Sequence, residues 1–353
     1  LATAIKQPSM GCAMSSSELT RRSLICAAAS APFISRRARA LTPLWTARQF
    51  HNQPETSPLH EALVGIWDRV AKETNGKLVV RVYAQNNHIP GSDPAALEML
   101  RKGELEFYTL MGGLLSNAVP PMDIQGLPFA FKRPEQMFEA MDGKLGVYLR
   151  GECKAKGIYL IPSGLFENGF RDLNTVERRV RVVDDMAGLR VRVPDGNLFR
   201  DLFTTLGAEP VTLNINRLYE ALKNGQVDAQ ENPLVICETN RLYEVTKFIS
   251  TTHHSWSGFN LLANDAFYSK ELTDDVRKTI ERNVKLGVTA QRRATIDINQ
   301  SLVKTLTDRG LTFDQPDVAP FKARLTGGFY PRWKKEIGAK AWGLLEAKIG
   351  KIG

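Results

Sequence analysis

Two arginines alternate with valines in a short predicted strand, Leu189–Val193, which Pro194 brings to an end. Because successive side chains on a strand point to opposite faces, Arg190 and Arg192 share one face. An arginine held on a rigid strand presents a planar fork of donors that suits a carboxylate or a phosphate. The strand therefore predicts an anion-binding group, although a surface strand with solvated arginines has the same pattern.

Two further polar segments are candidates to complete such a site. The run Asp228–Leu234 (DAQENPL) contains a proline that forces Asn232 out of helical geometry. The segment Phe166–Arg171 (FENGFR) places another arginine at the end of a predicted strand. Asp228 and Glu231 lack a nucleophile or a second charged group nearby in the sequence, so we interpret them as ordinary polar residues rather than as an acid/base pair.

The common signatures of enzymes and metal sites are missing from the sequence. It has no phosphate-binding or dinucleotide-binding glycine motif, no G-x-S-x-G, no H-E-x-x-H and no C-x-x-C. His253 and His254 are adjacent, and neighbouring residues of a strand point to opposite faces, so they cannot chelate one metal together. We expect no metal, no cofactor and no catalytic residue.

Predicted strands and helices alternate along the chain, which indicates α/β layers. Apolar residues recur at helical spacing from Leu59 to Val70, and a strand follows over 77–84. Asp93 and Pro94 are typical of the cap and the first position of a helix. Further strands are predicted over 104–110, 157–162 and 166–171, and a further helix over 134–149.

The longest predicted element is a helix over Thr273–Asp308. It would have roughly 36 residues and a length of about 54 Å at 1.5 Å per residue. Asp274 and Asp275 in its first turn favour the helix dipole, and Gly310 ends it. One small domain cannot cover a helix of this length, so we expect it to run along two.

The first 40 residues have the features of a twin-arginine export signal. The pair Arg21-Arg22 precedes an apolar segment, Leu24–Ile34, and Ala38-Arg39-Ala40 matches an A-x-A cleavage site. We expect export to the periplasm with cleavage at that site. We also expect a natural translation start at Met14, with Leu1–Ala13 upstream of it.

The composition describes a globular protein with a mild positive charge. The chain has 353 residues, of which 43% are hydrophobic and 24% charged, and this length suits two domains. Loss of the leader lowers the formal net charge from +9 to +4 and leaves no dense basic stripe, so nucleic-acid binding is not expected. Cys153 and Cys237 remain; a disulfide stays open, and two buried free thiols are the favoured interpretation.

The order of motifs around the arginine strand resembles the solute-binding proteins of TRAP transporters, the DctP-like family. The resemblance runs from Thr46 to at least Phe313 and is most specific over Gly188–Val245. It implies a two-domain α/β fold of the periplasmic-binding-protein type, with crossing strands and a long domain-spanning helix. The domains would comprise residues 41–168 with 257–296, and 169–256 with 297–353.

The resemblance also assigns roles to single residues. Arg192 corresponds to the arginine that grips the carboxylate of an organic acid, which leaves Arg190 as an outer, solvated residue. Arg171 corresponds to a second cation of the pocket. Asn232 corresponds to the amide that orients the carboxylate or the arginine.

Other candidate ligand contacts follow or depart from the family pattern. Asn52 and Asp93 fall at two further pocket positions. Ile215 stands where an aromatic residue often covers the ligand, and Met111 stands where sugar-acid binders carry a carboxylate. Trp256 lies where the chain crosses between the domains. These features predict a less polar pocket and favour a smaller aliphatic or aromatic acid.

The resemblance implies an extracytoplasmic receptor. An organic acid would bind in the interdomain cleft and close the two domains as a hinge. The closed protein, expected to be a monomer, would then dock on a membrane permease. A secreted enzyme acting on a carboxylate and a ligand-sensing module without a transporter are the alternatives. The enzyme requires a nucleophile or an acid/base group in the cleft, which the sequence does not reveal.

Overall fold

The computed structural model describes residues 42–353, so the predicted export signal and the start at Met14 lie outside the described residues. The strands are β1 (Trp45–His51), β2 (Leu78–Tyr83), β3 (Phe107–Met111), β4 (Ile158–Thr175), β5 (Arg190–Val193), β6 (Glu209–Thr212), β7 (Ala229–Asn232), β8 (Phe248–Asn264) and β9 (Thr312–Asp314). The α-helices are α1 (Pro58–Glu73), α2 (Ser92–Lys102), α3 (Gly112–Leu115), α4 (Pro134–Asp142), α5 (Lys144–Lys154), α6 (Asn197–Thr205), α7 (Leu218–Lys223), α8 (Leu234–Thr239), α9 (Asp274–Asp308), α10 (Ala319–Thr326), α11 (Phe329–Ile337) and α12 (Ala339–Ile349). The predicted α/β alternation is confirmed.

The strands of the described residues form one mixed sheet. Its order is β2-β1-β3-β8-β4-β7-β5-β6, with β9 paired to β8. The long strands β4 and β8 pair antiparallel with each other; the last part of β8 also pairs with β3, and the last part of β4 also pairs with β7. These two strands therefore connect the two halves of the sheet, as crossing strands were expected to do.

Two segments differ from the sequence prediction. The separate strands predicted over 157–162 and 166–171 form the single strand β4, which keeps its pairing with β8 through register shifts at three places. The single helix predicted over 134–149 is wrong. Gly143 has the extended backbone angles φ −97° and ψ −153°, which stop α4 and allow α5 to start in a new direction.

The helix α9 spans both halves of the fold. It has 35 residues and packs against α1 and β4, and also against α8. Leu302 and Leu306 near its end belong to a smaller apolar cluster with residues of α7 and α8, whereas Val276 and Ile280 near its start belong to the large main core. The prediction of a long helix running along both parts of the chain is confirmed.

Helix α12 packs against α4 and α5, so the last helix contacts the first half of the fold.

The direction of the parallel strands indicates where a ligand site can form. In the first half β1 runs parallel to β2 and β3, and in the second half β5 runs parallel to β6 and β7. The carboxyl ends of parallel strands are the usual place for ligands in α/β sheets.

Candidate ligand-binding site

A cavity lies where strands from both halves of the sheet end. Asn52 follows β1, Met111 ends β3, Pro194 follows β5, and Asn232 ends β7. The cavity has an empty volume of about 340 Å³, including the part open to solvent. Its lining residues are Asn52, Gln53, Asp93, Met111, Leu114, Asn168, Arg171, Arg192, Pro194, Ile215, Asn232, Ile236 and Phe259.

Arg192 is buried in this cavity with most of its hydrogen-bonding capacity unused. Its side chain extends from β5, and the residue is 3% exposed. Nε donates to the carbonyl oxygen of Leu213 at 2.8 Å, and the two Nη atoms have no hydrogen-bond or ion-pair partner within residues 42–353. Burial lowers the pKa of Arg192 to about 10, so the guanidinium stays charged at neutral pH. The result is a fixed cation with a free fork of donors.

Arg171 is also buried, but protein groups already neutralise it. Its Nη2 donates to Glu231 Oε1 at 2.7 Å and to Asn232 Oδ1 at 3.1 Å, and its Nε pairs with Glu231 Oε2. His254 Nε2 lies 3.2 Å from the same carboxylate. Burial alone raises the pKa of Glu231, but Arg171 and His254 outweigh it and hold that pKa below its ordinary value. Glu231 is therefore a charged partner that the sequence interpretation did not include in the site.

Asp93 is surrounded by donors. Asn86 Nδ2 and the Tyr108 hydroxyl each donate to Oδ1 at 2.8 Å. Asn52 Nδ2 at 3.2 Å and Asn214 Nδ2 at 2.9 Å donate to Oδ2. Its predicted role as a helix cap is wrong, because Gly91 caps α2 and Asp93 lies within the first turn. Four donors match the acceptor capacity of one carboxylate.

A second amide continues this chain of hydrogen bonds. Gln53 Nε2 donates to Asn52 Oδ1 at 2.8 Å, while Gln53 Oε1 is buried and has no partner within the described residues. Gln53 was not among the site residues expected from the sequence. An unpaired buried acceptor carries a desolvation cost, so it marks a position where a donor is missing.

Trp256 does not line the cavity. It is 2% exposed, packs edge-on against Phe138 at a ring distance of 6.1 Å, and donates from Nε1 to Glu167 Oε2 at 3.1 Å. Its strand, β8, lies at the centre of the sheet, and the indole belongs to the main hydrophobic core. Burial raises the pKa of Glu167 to about 8.

Arg190 is also placed differently from the sequence expectation. Its side chain is 41% exposed but not simply solvated, because Nη2 pairs with Asp228 Oδ1 at 2.5 Å. Asp228 was not recognised as a partner because it lies 38 residues away in sequence and is brought close by β7 pairing with β5. The two arginines of one strand thus have different environments, and only Arg192 reaches the cavity.

The remaining reactive side chains are dispersed. Cys153 and Cys237 are both buried free thiols. His253 is exposed and lies 2.8 Å from Asp172, whereas His254 is buried, as expected for neighbours on opposite faces. No cluster of three or more metal-ligating side chains occurs within residues 42–353. In the same range, no helix combines the length and the hydropathy that a membrane span requires.

Two α/β halves are joined by crossing strands and a long helix, and the cavity between them contains a buried arginine that has no ion-pair partner within residues 42–353. These features define a binding protein of the two-domain periplasmic type. The family model for bacterial extracellular solute-binding protein, family 7 (DctP), matches residues 50–333. The chain belongs to this family.

Individual relatives support the same assignment. The chain is 28% identical over 282 residues to a solute-binding protein of Chromohalobacter salexigens, covering 80% of this chain and 82% of the relative. It is 32% identical over 242 residues to the uncharacterized protein y4mM of Sinorhizobium fredii, covering 68% of this chain but only 44% of y4mM.

A solved structure supports the fold. The TRAP periplasmic solute binding protein from Chromohalobacter salexigens, with bound D-glucuronate, superposes with a TM-score of 0.80 at 26% identity. The match covers 86% of this chain and 99% of that chain. The predicted two-domain fold and family resemblance are confirmed.

Proposed function

We propose that the protein captures a small organic acid in the cavity between its two halves and delivers it to the membrane permease of a TRAP transporter. The observation that carries the proposal is Arg192, a buried cation whose two Nη atoms have no partner within residues 42–353. A carboxylate fits this fork through two parallel charge-assisted hydrogen bonds. The D-glucuronate in the solved relative is itself a carboxylate.

The proposed site contacts are seven of the residues expected from the sequence. They are Arg192, Arg171, Asn232, Asn52, Asp93, Ile215 and Met111, which all line the cavity. Arg192 would anchor the carboxylate directly, and Arg171 would act chiefly through Asn232, whose oxygen it binds. Trp256 has no part in this proposal because it lies in the core.

Binding would close two domains on the ligand. We retain the proposed boundaries, 41–168 with 257–296 and 169–256 with 297–353, with α12 of the second segment packed against α4 and α5 of the first. The hydrogen bonds between these domains include two near the cavity, from Asn214 to Asp93 at 2.9 Å and from Asn117 Nδ2 to the Asp195 carbonyl at 2.7 Å. The connections β4, β8 and α9 would serve as the hinge.

The receptor is proposed to act without chemical change of its ligand, as a periplasmic monomer exported by the twin-arginine route. Membership of a solute-binding family supports a receptor over an enzyme. Export and cleavage predict a mature N-terminus at Leu41. N-terminal sequencing of the periplasmic protein checks this point, and a full-length product in the cytoplasm would contradict it.

Native mass spectrometry of protein purified from periplasmic extract tests the ligand class most openly. We expect a retained small organic acid that is released on denaturation. A thermal-shift screen of organic acids, each matched with its neutral amide, is the companion experiment, since a bound ligand raises the melting temperature by mass action. Responses to neutral sugars or amines, with none to any acid, would overturn the proposal.

A further inference from the structure

The charges around the cavity limit how many carboxylates it can hold. Arg171 is paired with Glu231, so together they contribute no net charge. Asp93 and Arg192 both line the cavity and have opposite formal charges. Both Nη atoms of Arg171 already donate to protein groups, whereas those of Arg192 have no partner within residues 42–353. The site therefore offers one cationic fork, and a second carboxylate would be buried near Asp93 without a counter-charge, which is costly.

The directions of the hydrogen bonds near Asp93 determine which ligand group the cavity can bind beside Gln53. Asp93 requires donors, so Asn52 turns its Nδ2 toward it and its Oδ1 away. Gln53 must then give its Nε2 to Asn52 Oδ1, and its own Oε1 is left buried without a partner. Because each amide is oriented by the one before it, this acceptor is determined by the carboxylate of Asp93. A ligand that presents a hydroxyl or amine hydrogen there satisfies it.

From these two observations we propose that the ligand is a monocarboxylate that carries a hydroxyl group, and that the site excludes dicarboxylates. This inference depends on the proposed function, because it names the ligand class of the same cavity. Apolar side chains of Met111, Ile215 and Phe259 also line the cavity. They would pack against the carbon chain of the ligand. The smaller aliphatic or aromatic acid favoured by the sequence would leave Gln53 Oε1 without a donor unless it carried a hydroxyl group.

Calorimetry at pH 7.5 with two matched ligand series tests the proposal on the unmodified protein. The four-carbon series is butanoate, its 2-, 3- and 4-hydroxy derivatives, and succinate; the six-carbon series is hexanoate, D-gluconate and D-glucarate. We expect the best hydroxy monocarboxylate to bind about tenfold or more tighter than its unsubstituted parent, because an unpaired buried acceptor is satisfied. We expect the dicarboxylate of that series to bind weaker than the hydroxy monocarboxylate.

Two variants connect these preferences to residues. Gln53→Met removes the acceptor at similar side-chain length, so hydroxy acids should bind about as tightly as their unsubstituted parents. Gln226→Met, an exposed control, should leave the preference for hydroxy acids unchanged. Asp93→Asn removes a negative charge from the cavity wall, so it should reduce the difference in affinity between the hydroxy monocarboxylate and the dicarboxylate. Its control, Asp195→Asn, changes a carboxylate of the neighbouring groove that does not line the cavity. Melting temperatures of all four variants report whether they are folded.

The outcomes separate this inference from the proposed function. A dicarboxylate that binds as tightly as the hydroxy monocarboxylates, or a parent acid that matches its hydroxy derivatives, would overturn the inference and leave the acid receptor in place. Binding of neutral sugars with no binding of any acid would overturn the proposed function and this inference with it.

Discussion

The two arginines in the wall of the cavity are equally buried and differ in how the protein treats their charge. Arg171 has Glu231 as an ion-pair partner and further acceptors in Asn232 and Ser257. Among the described residues Arg192 has one hydrogen bond, from Nε to the carbonyl of Leu213. A buried charge with a good partner is part of the folded framework, whereas one without a partner costs stability that a ligand can offset. The comparison identifies the anchor by its missing partner rather than by its charge.

The largest expected effect on stability is at the paired arginine. Arg171→Met removes the ion-pair partner of the buried Glu231 carboxylate and leaves His254 in contact with it. Removing one partner of a buried pair typically costs about 3–5 kcal/mol, so the free energy of unfolding should fall by that amount. Urea denaturation measures it. The double variant Arg171→Met with Glu231→Met is the control and should recover part of the loss; a single-variant loss below about 1 kcal/mol would show that the pair contributes little.

Glu167 sharpens the comparison, because an unpaired buried carboxyl can take up a proton whereas Arg192 keeps its charge. The pKa of Glu167 is raised by burial from about 4.5 to about 8 in the folded protein. Its contribution to stability is therefore fully present below about pH 4.5 and is lost as the pH rises toward 8. The expected slope is about 1.4 kcal/mol per pH unit in that window.

Glu167→Gln should remove this slope, since glutamine resembles the protonated form and can still accept from Trp256. Denaturation curves from pH 5 to pH 8 measure it against the wild type. Glu336→Gln, an exposed carboxyl on α11, is the matched control and should keep the wild-type slope. Equal slopes in Glu167→Gln and the wild type would contradict the assignment of this pH dependence to Glu167.

Removal of the unpaired arginine should have the opposite sign from removal of the paired one. Arg192→Met replaces a buried cation that has no ion-pair partner within residues 42–353, so the ligand-free protein should keep its stability or gain about 1 kcal/mol. Thermal and urea unfolding of ligand-free protein measure the change. A loss as large as that of Arg171→Met would mean that Arg192 is a framework residue.

The smallest effect is expected at Arg190, the other arginine of β5. Its pair with Asp228 is partly exposed on both sides, and exposed pairs contribute about 0–1 kcal/mol. Arg190→Ala should therefore lower the free energy of unfolding by less than about 1 kcal/mol. Raising the salt concentration should further reduce the difference in free energy of unfolding between Arg190→Ala and the wild type. A larger loss would show that the two arginines of the strand have more similar roles than the structure indicates.

The elements with a strong local pattern were predictable from the sequence. Helix α9 was expected over 273–308 and spans Asp274–Asp308, because its apolar spacing and first-turn acids are local signals. The break at Gly143 and the union of two predicted strands in β4 were not predicted. The first depends on one backbone conformation, and the second on continuous pairing with β8.

The site shows the same division between features with a local sequence signal and features that depend on tertiary contacts. The residues expected from the resemblance reach one cavity with the exception of Trp256, whose position at the centre of the sheet depends on tertiary packing. Glu231 and Asn214 were missed because their roles exist only through contacts with residues 60 and 121 positions away. Sequence alone reveals which side chains are charged, but only the fold shows which charges already have partners.

Calorimetry on Arg192 tests the central claim most directly. The titrant is the tightest-binding acid of the two ligand series, and the proteins are the wild type, Arg192→Lys, Arg192→Ala and Arg190→Ala. Losing one partner of a buried hydrogen-bonded charge pair costs roughly 2–5 kcal/mol, so Arg192→Ala should weaken binding by about 30- to 5000-fold. Arg192→Lys should lose less, and Arg190→Ala should bind almost as the wild type. Wild-type affinity in a folded Arg192→Ala, or equal losses at Arg190 and Arg192, would contradict the account.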